Sequence, residues 1–306
     1  MRLDIKTFLK GMAMGAADVV PGVSGGTIAF ITGIYDQLLE SIRRINPSLI
    51  GRIRREGFKA AWNHINAPFL ITLMAGIGLA IATLAKLISH LLATQPIAIW
   101  SFFFGLILVS ILHISKQIDR WDPPQLLSLA IGIGLAWILS VANPLALDPT
   151  PMNILIGGMI AICAMILPGI SGSFILLLLG LYGPVLAAVS QRDLVTIAIF
   201  LSGTVLGLLS FSHLLSFLLR RFHTQTLAFL TGLLIGTLGK IWPWKQTLSW
   251  RTNSKGEQVP LLQENLLPGQ FEQATGDSNQ LLLALSCAAA GFLLVLILEK
   301  LGEREG

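Results

Sequence analysis

Long apolar runs alternate with short charged stretches along almost the whole chain. A helix needs about 20 predominantly apolar residues to cross the hydrocarbon core of a bilayer. Six runs meet or approach that length, at about 67–92, 97–115, 125–142, 195–219, 225–242 and 280–298, and each predicts a transmembrane helix. Two further apolar regions are interrupted. Residues 8–20 are too few to span, and a second run follows the break, from about 24 to 39. The region at about 152–190 is broken in the same way at Pro168 and Gly169. Proline ends what precedes it, glycine permits backbone geometry closed to other residues, and serine caps the helix that follows. Each interrupted region is therefore predicted to be a re-entrant helical hairpin, with its tip at 21–26 or 168–173. Broken backbone at membrane depth is tolerated only where protein buries it or where it lines a watery cavity.

The two breaks are copies of each other. Residues 21–35 read PGVSGGTIAFITGIY and residues 168–182 read PGISGSFILLLLGLY, so Pro, Gly, Ser, Gly, Ile, Gly and Tyr recur at an offset of 147. At an offset of 127, Gly76 meets Gly203, and Leu87, Ser89, Leu91 and Leu92 meet Leu214, Ser216, Leu218 and Leu219. The same offset pairs Phe102, Gly105 and Leu106 with Phe229, Gly232 and Leu233. The two offsets differ by the extra length of a basic loop in the first half. The expected fold is an all-α polytopic membrane protein, one domain over 1–306, made of two repeats at about 1–142 and 152–300. Each repeat is a re-entrant helical hairpin plus three transmembrane helices. An odd number of crossings per repeat makes the second inverted relative to the first, and inverted repeats with paired broken helices are a transporter architecture.

Charge sets the expected orientation. Residues 43–59 carry Arg43, Arg44, Arg52, Arg54, Arg55 and Lys59 against Glu56, a density that marks the cytoplasmic side. Lys116 and Arg120, then Arg220, Arg221 and His223, and finally 299–304, fall on the same side, with both termini. The uncharged link at Gln95 and Pro96, residues 143–151, and the polar loop at about 245–279 are expected outside. Only 12% of residues are charged and 54% are hydrophobic, about half the charge of a soluble domain. The net charge of +5 lies largely in short loops and orients the chain, so no nucleic-acid partner is expected. Cys163 and Cys287 sit in apolar runs and read as small buried hydrophobes. Basic residues at 2, 6 and 10 precede an apolar stretch interrupted by Asp18 and Pro21, so no signal peptide is expected. Trp62, Trp100, Trp121, Trp242, Trp244 and Trp250 read as interfacial anchors, and Trp137 as packing. No Walker loop, HExxH, GxSxG elbow or pair of acids at catalytic spacing is present, so neither an enzyme nor a cofactor or metal site is expected.

The candidate chemistry lies at the hairpin tips. Amides that open a helix have no intrahelical partner and, with the helix dipole, favour an anion. Ser24 and Thr27 in one copy, and Ser171 and Ser173 in the other, add hydroxyls, while Gly25, Gly26 and Gly172 let a ligand approach the backbone. The same glycines also suit close helix crossing, and the same serines also suit capping. Ionisable residues inside spans are costly in lipid and suggest function. Lys86 and His213 are related by the 127 offset, as are His113 and Lys240. Lys86 and Lys240 are expected near the outer mouth of a central site, and His113 and His213 near the inner one, with snorkelling to the interface as the plainer alternative. Asp18, just before the first tip, is a candidate either for carrying a coupling proton or ion, or for capping the tip backbone.

MGAADVVPGVSGGTIAFITGIYDQLLESI (14–42) and MILPGISGSFILLLLGLYGPVL (165–186) together resemble the DUF368 family of bacterial and archaeal membrane proteins. The resemblance covers essentially the whole chain. It implies a flippase of the cell (inner) membrane that moves undecaprenyl or other polyprenyl phosphate between leaflets and returns the lipid carrier of cell-envelope synthesis. The partners it implies are an isoprenoid lipid phosphate and the surrounding membrane lipids. The family's signature falls on 21–27 and 168–173; the four basic residues come from the repeat alone. Composition and spacing by themselves reach a transporter of an anion, with a channel or carrier for a small water-soluble anion as the alternative.

Overall fold

The computed structural model describes residues 4–20, 23–142, 145, 147–252 and 258–303. Pro21 and Gly22 of the first tip, part of the 143–151 link, Lys255 and both chain ends lie outside the described residues. The first half runs α1 (Ile5–Asp18), α2 (Gly25–Ile31), α3 (Tyr35–Arg43), α4 (Ser48–Glu56), α5 (Phe58–His64), α6 (Ala67–Thr94), α7 (Pro96–Lys116) and α8 (Pro123–Val141). The second runs α9 (Pro151–Ile166), α10 (Gly172–Leu178), α11 (Tyr182–Gln191), α12 (Leu194–Arg221) and α13 (His223–Thr237), which a 3₁₀ turn prolongs over Leu238–Ile241. Strands β1 (Lys245–Thr252) and β2 (Gln258–Asn265), then α14 (Pro268–Thr275) and α15 (Leu281–Glu303), complete the chain.

The protein is a predominantly helical, multi-pass membrane protein. Helices α6, α7, α8 and α12 are each long and apolar enough to cross a bilayer. Their starts follow local rules. Proline occupies the first turn of α6, α7, α8 and α9, where its missing amide costs nothing, and the Asp193 carboxylate accepts from the first-turn amides of α12.

Three sequence expectations need correction. Each hairpin's second limb is two helices rather than one: α2 and α3 in the first copy, α10 and α11 in the second, with a 109° bend between the latter two. Gly33 (φ 69°) and Gly180 (φ 77°) end the short helices in the left-handed region that L side chains avoid. The 245–279 segment is not a bare polar loop: among the described residues β1 and β2 form a small antiparallel hairpin on the otherwise helical chain, and α14 follows. Trp244 and Phe271 bury against Ile97 and Ala284, with Trp242 and Leu266 packed alongside. The segment is thus a cap seated where α7 and α15 begin. Finally, Trp244 is core, holding the Asn279 carbonyl through its indole N–H, whereas Trp137 is 61% exposed.

Glycine makes the interhelical contacts. A side chain on Gly11 would strike the Leu73 carbonyl, and one on Gly76 would strike that of Phe8. In the second half Gly158 meets the Phe200 carbonyl and Gly203 that of Leu155, the same two contacts displaced by 147 on one helix and 127 on the other. A second pair of contacts repeats similarly: Gly132 lies on the Phe229 carbonyl in the α8–α13 pair, and Gly291 on that of Phe102 in the α7–α15 pair. Gly15 sits against Ile77 and Ala80, so α1 stops at Asp18 level with the middle of the 28-residue α6. Residues 11 and 15 meet 73 and 77 in that order. Helices α1 and α6 therefore run in the same direction, and the chain between them enters and leaves by one face. At that face Arg220, ending α12, lies 3.6 Å from Glu40 near the end of α3. Arg44 donates to the His64 carbonyl just before α6, so α12 ends on the side where α6 begins.

Candidate functional site

The two tips meet. Ser24 accepts from the Gly26 amide and donates to the Met165 carbonyl across the duplicated halves, at 2.9 Å. The Thr27 hydroxyl accepts from the Gly169 amide at 2.9 Å, and the Tyr35 hydroxyl donates to the Ile166 carbonyl at 3.1 Å. A side chain on Gly26 would strike the Ile166 carbonyl. Ser24 and Thr27 are 1% and 0% exposed, so the first tip is sealed against the second. Asp18 closes it further by accepting from the Gly25 amide at 2.7 Å. The open amides expected at the first tip are therefore already engaged in this structure. Thr27, too, is turned toward protein backbone.

The second tip is arranged differently. Ser171 makes no capping hydrogen bond, and its hydroxyl pairs with that of Ser173, which is exposed, at 2.9 Å. The amides of Gly172, Ser173 and Phe174 open α10 and have no partner within it. Gly172 is pressed against the Ala161 carbonyl, which fixes α10 on α9. The repeat mate of the buried Tyr35 is Tyr182, which is 37% exposed.

The basic residues separate on inspection. Lys240 reaches over the second tip, its ammonium 3.4 Å from the centroid of the Phe174 ring. Lys86 is exposed on α6, and His213 is exposed with its ring Nδ1 2.7 Å from the Leu209 carbonyl of its own helix. His113 is half-buried near the end of α7. Lys240 is brought against a tip residue, Phe174.

One residue escaped the sequence reading. Lys245 opens β1, is half-buried, donates to the Lys240 carbonyl, and carries its ammonium 4.2 Å from the Trp100 ring centroid. It was hidden because the segment reads as a polar loop. The available signal was its position five residues after Lys240, beyond the aromatic run Trp242-Pro243-Trp244.

A family model described as undecaprenyl phosphate translocase-like matches residues 14–259. The chain is 63% identical over 300 residues to a polyprenyl-phosphate transporter of Vibrio cholerae, covering 98% of this chain and 97% of that one. It is 33% identical over 258 residues to a polyprenyl-phosphate transporter of Staphylococcus aureus, covering 77% and 85%. No solved structure matches. A multi-pass helical chain with duplicated, mutually packed hairpin tips, matched over most of its length, belongs to the undecaprenyl phosphate translocase-like family.

Proposed function

We propose that this protein is a flippase that carries polyprenyl phosphate between the leaflets of the cell membrane, returning the lipid carrier used in envelope synthesis to the cytoplasmic side. The observation that carries the reading is the second tip. Its opening amides lie beside the Ser171 and Ser173 hydroxyls, with Lys240 against the adjacent Phe174. A lipid phosphate has a small anionic head that cannot cross hydrocarbon and a tail that can remain there. The tip holds the head, and the tail stays in lipid.

The two halves act as inverted repeats, with residues 43–59 and both termini cytoplasmic and the cap external. Two findings support this: the glycine contacts that recur at the 127 and 147 offsets, and the ending of α12 on the side where α6 begins. The Asp18 carboxylate holds the first tip closed and carries the coupling proton or ion. Lys86 gathers head groups toward the outer mouth, and His113 and His213 release them at the inner one.

Purified protein in liposomes, loaded with labelled undecaprenyl phosphate, is expected to equilibrate the lipid between leaflets. Movement of a water-soluble anion without movement of the lipid would replace this reading with a small-anion carrier.

A further inference from the structure

Two lysines share one half-buried corner of the molecule. Lys240 reaches Phe174 of the second tip and Lys245 reaches Trp100 of α7. The Lys245 ammonium also donates to the backbone carbonyl of Lys240. Among the described residues neither is ion-paired with a carboxylate. Acids do pair elsewhere: Glu40 alone meets Arg43, Arg44 and Arg220. Withdrawing two like charges from water into one place costs free energy through lost hydration and mutual repulsion. Aromatic faces and one carbonyl offset part of that cost and cancel no charge. Burial, and then the charge on Lys240, both hold the Lys245 ammonium below the usual lysine range. The cap keeps the two together. Trp242 donates to the Leu266 carbonyl, Trp244 donates to that of Asn279, and Asn265 donates to that of Gly239, the residue before Lys240.

We propose that Lys240 and Lys245 form a two-cation reader that selects a phosphate monoester over the phosphodiesters of bulk lipids. A terminal phosphoryl group carries about −1.5 to −2 charge at neutral pH and three acceptor oxygens. A diester carries a single charge and has two of its oxygens tied up in ester links. Two ammonium groups, one over Phe174 of the second tip and one over Trp100 of α7, match the first ligand and are left half-compensated by the second. The proposal rests on the transport reading above and adds to it the choice of head group and a role for Lys245.

The test uses full-length protein in nanodiscs with three probes: undecaprenyl phosphate, phosphatidylglycerol and inorganic phosphate. The parent is expected to prefer the monoester lipid. Lys240→Gln and Lys245→Gln are each expected to weaken monoester binding about ten- to hundredfold while changing diester binding little. Lys245→Arg keeps the charge and is expected to keep the preference. Lys245→Met keeps the apolar stem; it is expected to unfold near the parent temperature yet lose the preference, which a merely structural lysine would not do. Unchanged preference in Lys245→Gln, or equal loss of both lipids, overturns the proposal. Inorganic phosphate binding as tightly as the lipid assigns the site to a soluble anion and overturns it too. Leaflet exchange distinguishes the two levels. If the parent moves no undecaprenyl phosphate, the transport reading falls and this proposal with it. If it does so and Lys245→Gln keeps the parent's preference, only the proposal falls.

Discussion

The Asp18 carboxylate accepts from the Gly25 amide and so caps the first tip, and that role separates by substitution from the carriage of a coupling proton. Asp18→Ala leaves that amide without its partner and is expected to cost about 1–3 kcal/mol, seen as a lower unfolding temperature in detergent. Asp18→Asn keeps an acceptor oxygen and is expected to unfold near the parent. If the carboxylate also carries a coupling proton, Asp18→Asn makes leaflet exchange insensitive to a pH gradient. Exchange that still follows the gradient in Asp18→Asn leaves the residue a cap and nothing more. Gly172→Val brings a branched side chain onto the Ala161 carbonyl and pushes α10 off α9. Loss of exchange is expected together with a lower unfolding temperature, because the glycine serves packing first. Lys245 was not legible at this scale: its meaning depends on Trp100 and Lys240, and Trp100 lies far away in the chain.

Elements were legible in proportion to how strongly their length is constrained. The bilayer fixes the length of a spanning helix, and the apolar runs expected at 67–92, 97–115 and 195–219 appear as α6, α7 and α12 with ends moved by only a few residues. Shorter elements have no such ruler. The kink inside each hairpin's second limb was written twice, as Gly33 and Gly180 each two residues before a tyrosine, yet an apolar run of that length reads as one helix. Alanine at Gly33 or Gly180 must adopt a left-handed backbone and is expected to destabilise by about 1–2 kcal/mol, measured by chemical unfolding. The cap is not legible in the sequence, where 245–279 reads as a polar loop. Its fold depends on Trp244 and Phe271 finding Ile97 and Ala284, a contact that no local pattern announces. Trp244→Ala removes the largest side chain from that small core, at a cost of about 3–5 kcal/mol. It is expected to render 245–279 sensitive to protease while the helical domain stays intact.

At the scale of the whole molecule, the glycine contacts of α1 on α6 recur in α9 on α12 at the offsets the sequence shows. Topology is tested directly: cysteines placed at Arg54 and Lys255 are expected to label from the cytoplasmic and outer sides respectively, and the reverse pattern would undo the orientation. What the sequence did not reveal is that the two copies are held differently. Tyr35 is buried on the second half's backbone, while Tyr182 stands partly exposed. Ser24 and Thr27 reach across, while Ser171 turns to its own neighbour Ser173. Helix α3 packs on α12 of the opposite half, while α11 packs on the α12 that follows it. Similar segments in unlike surroundings amount to a broken symmetry, and the copies also differ in sequence where they meet, as at Thr27 against Phe174 and Gly26 against Ser173. Tyr35→Phe removes the hydroxyl that donates to the Ile166 carbonyl and should therefore loosen the arrangement seen here and change the rate of leaflet exchange; an unchanged rate would leave that hydrogen bond without a part in exchange.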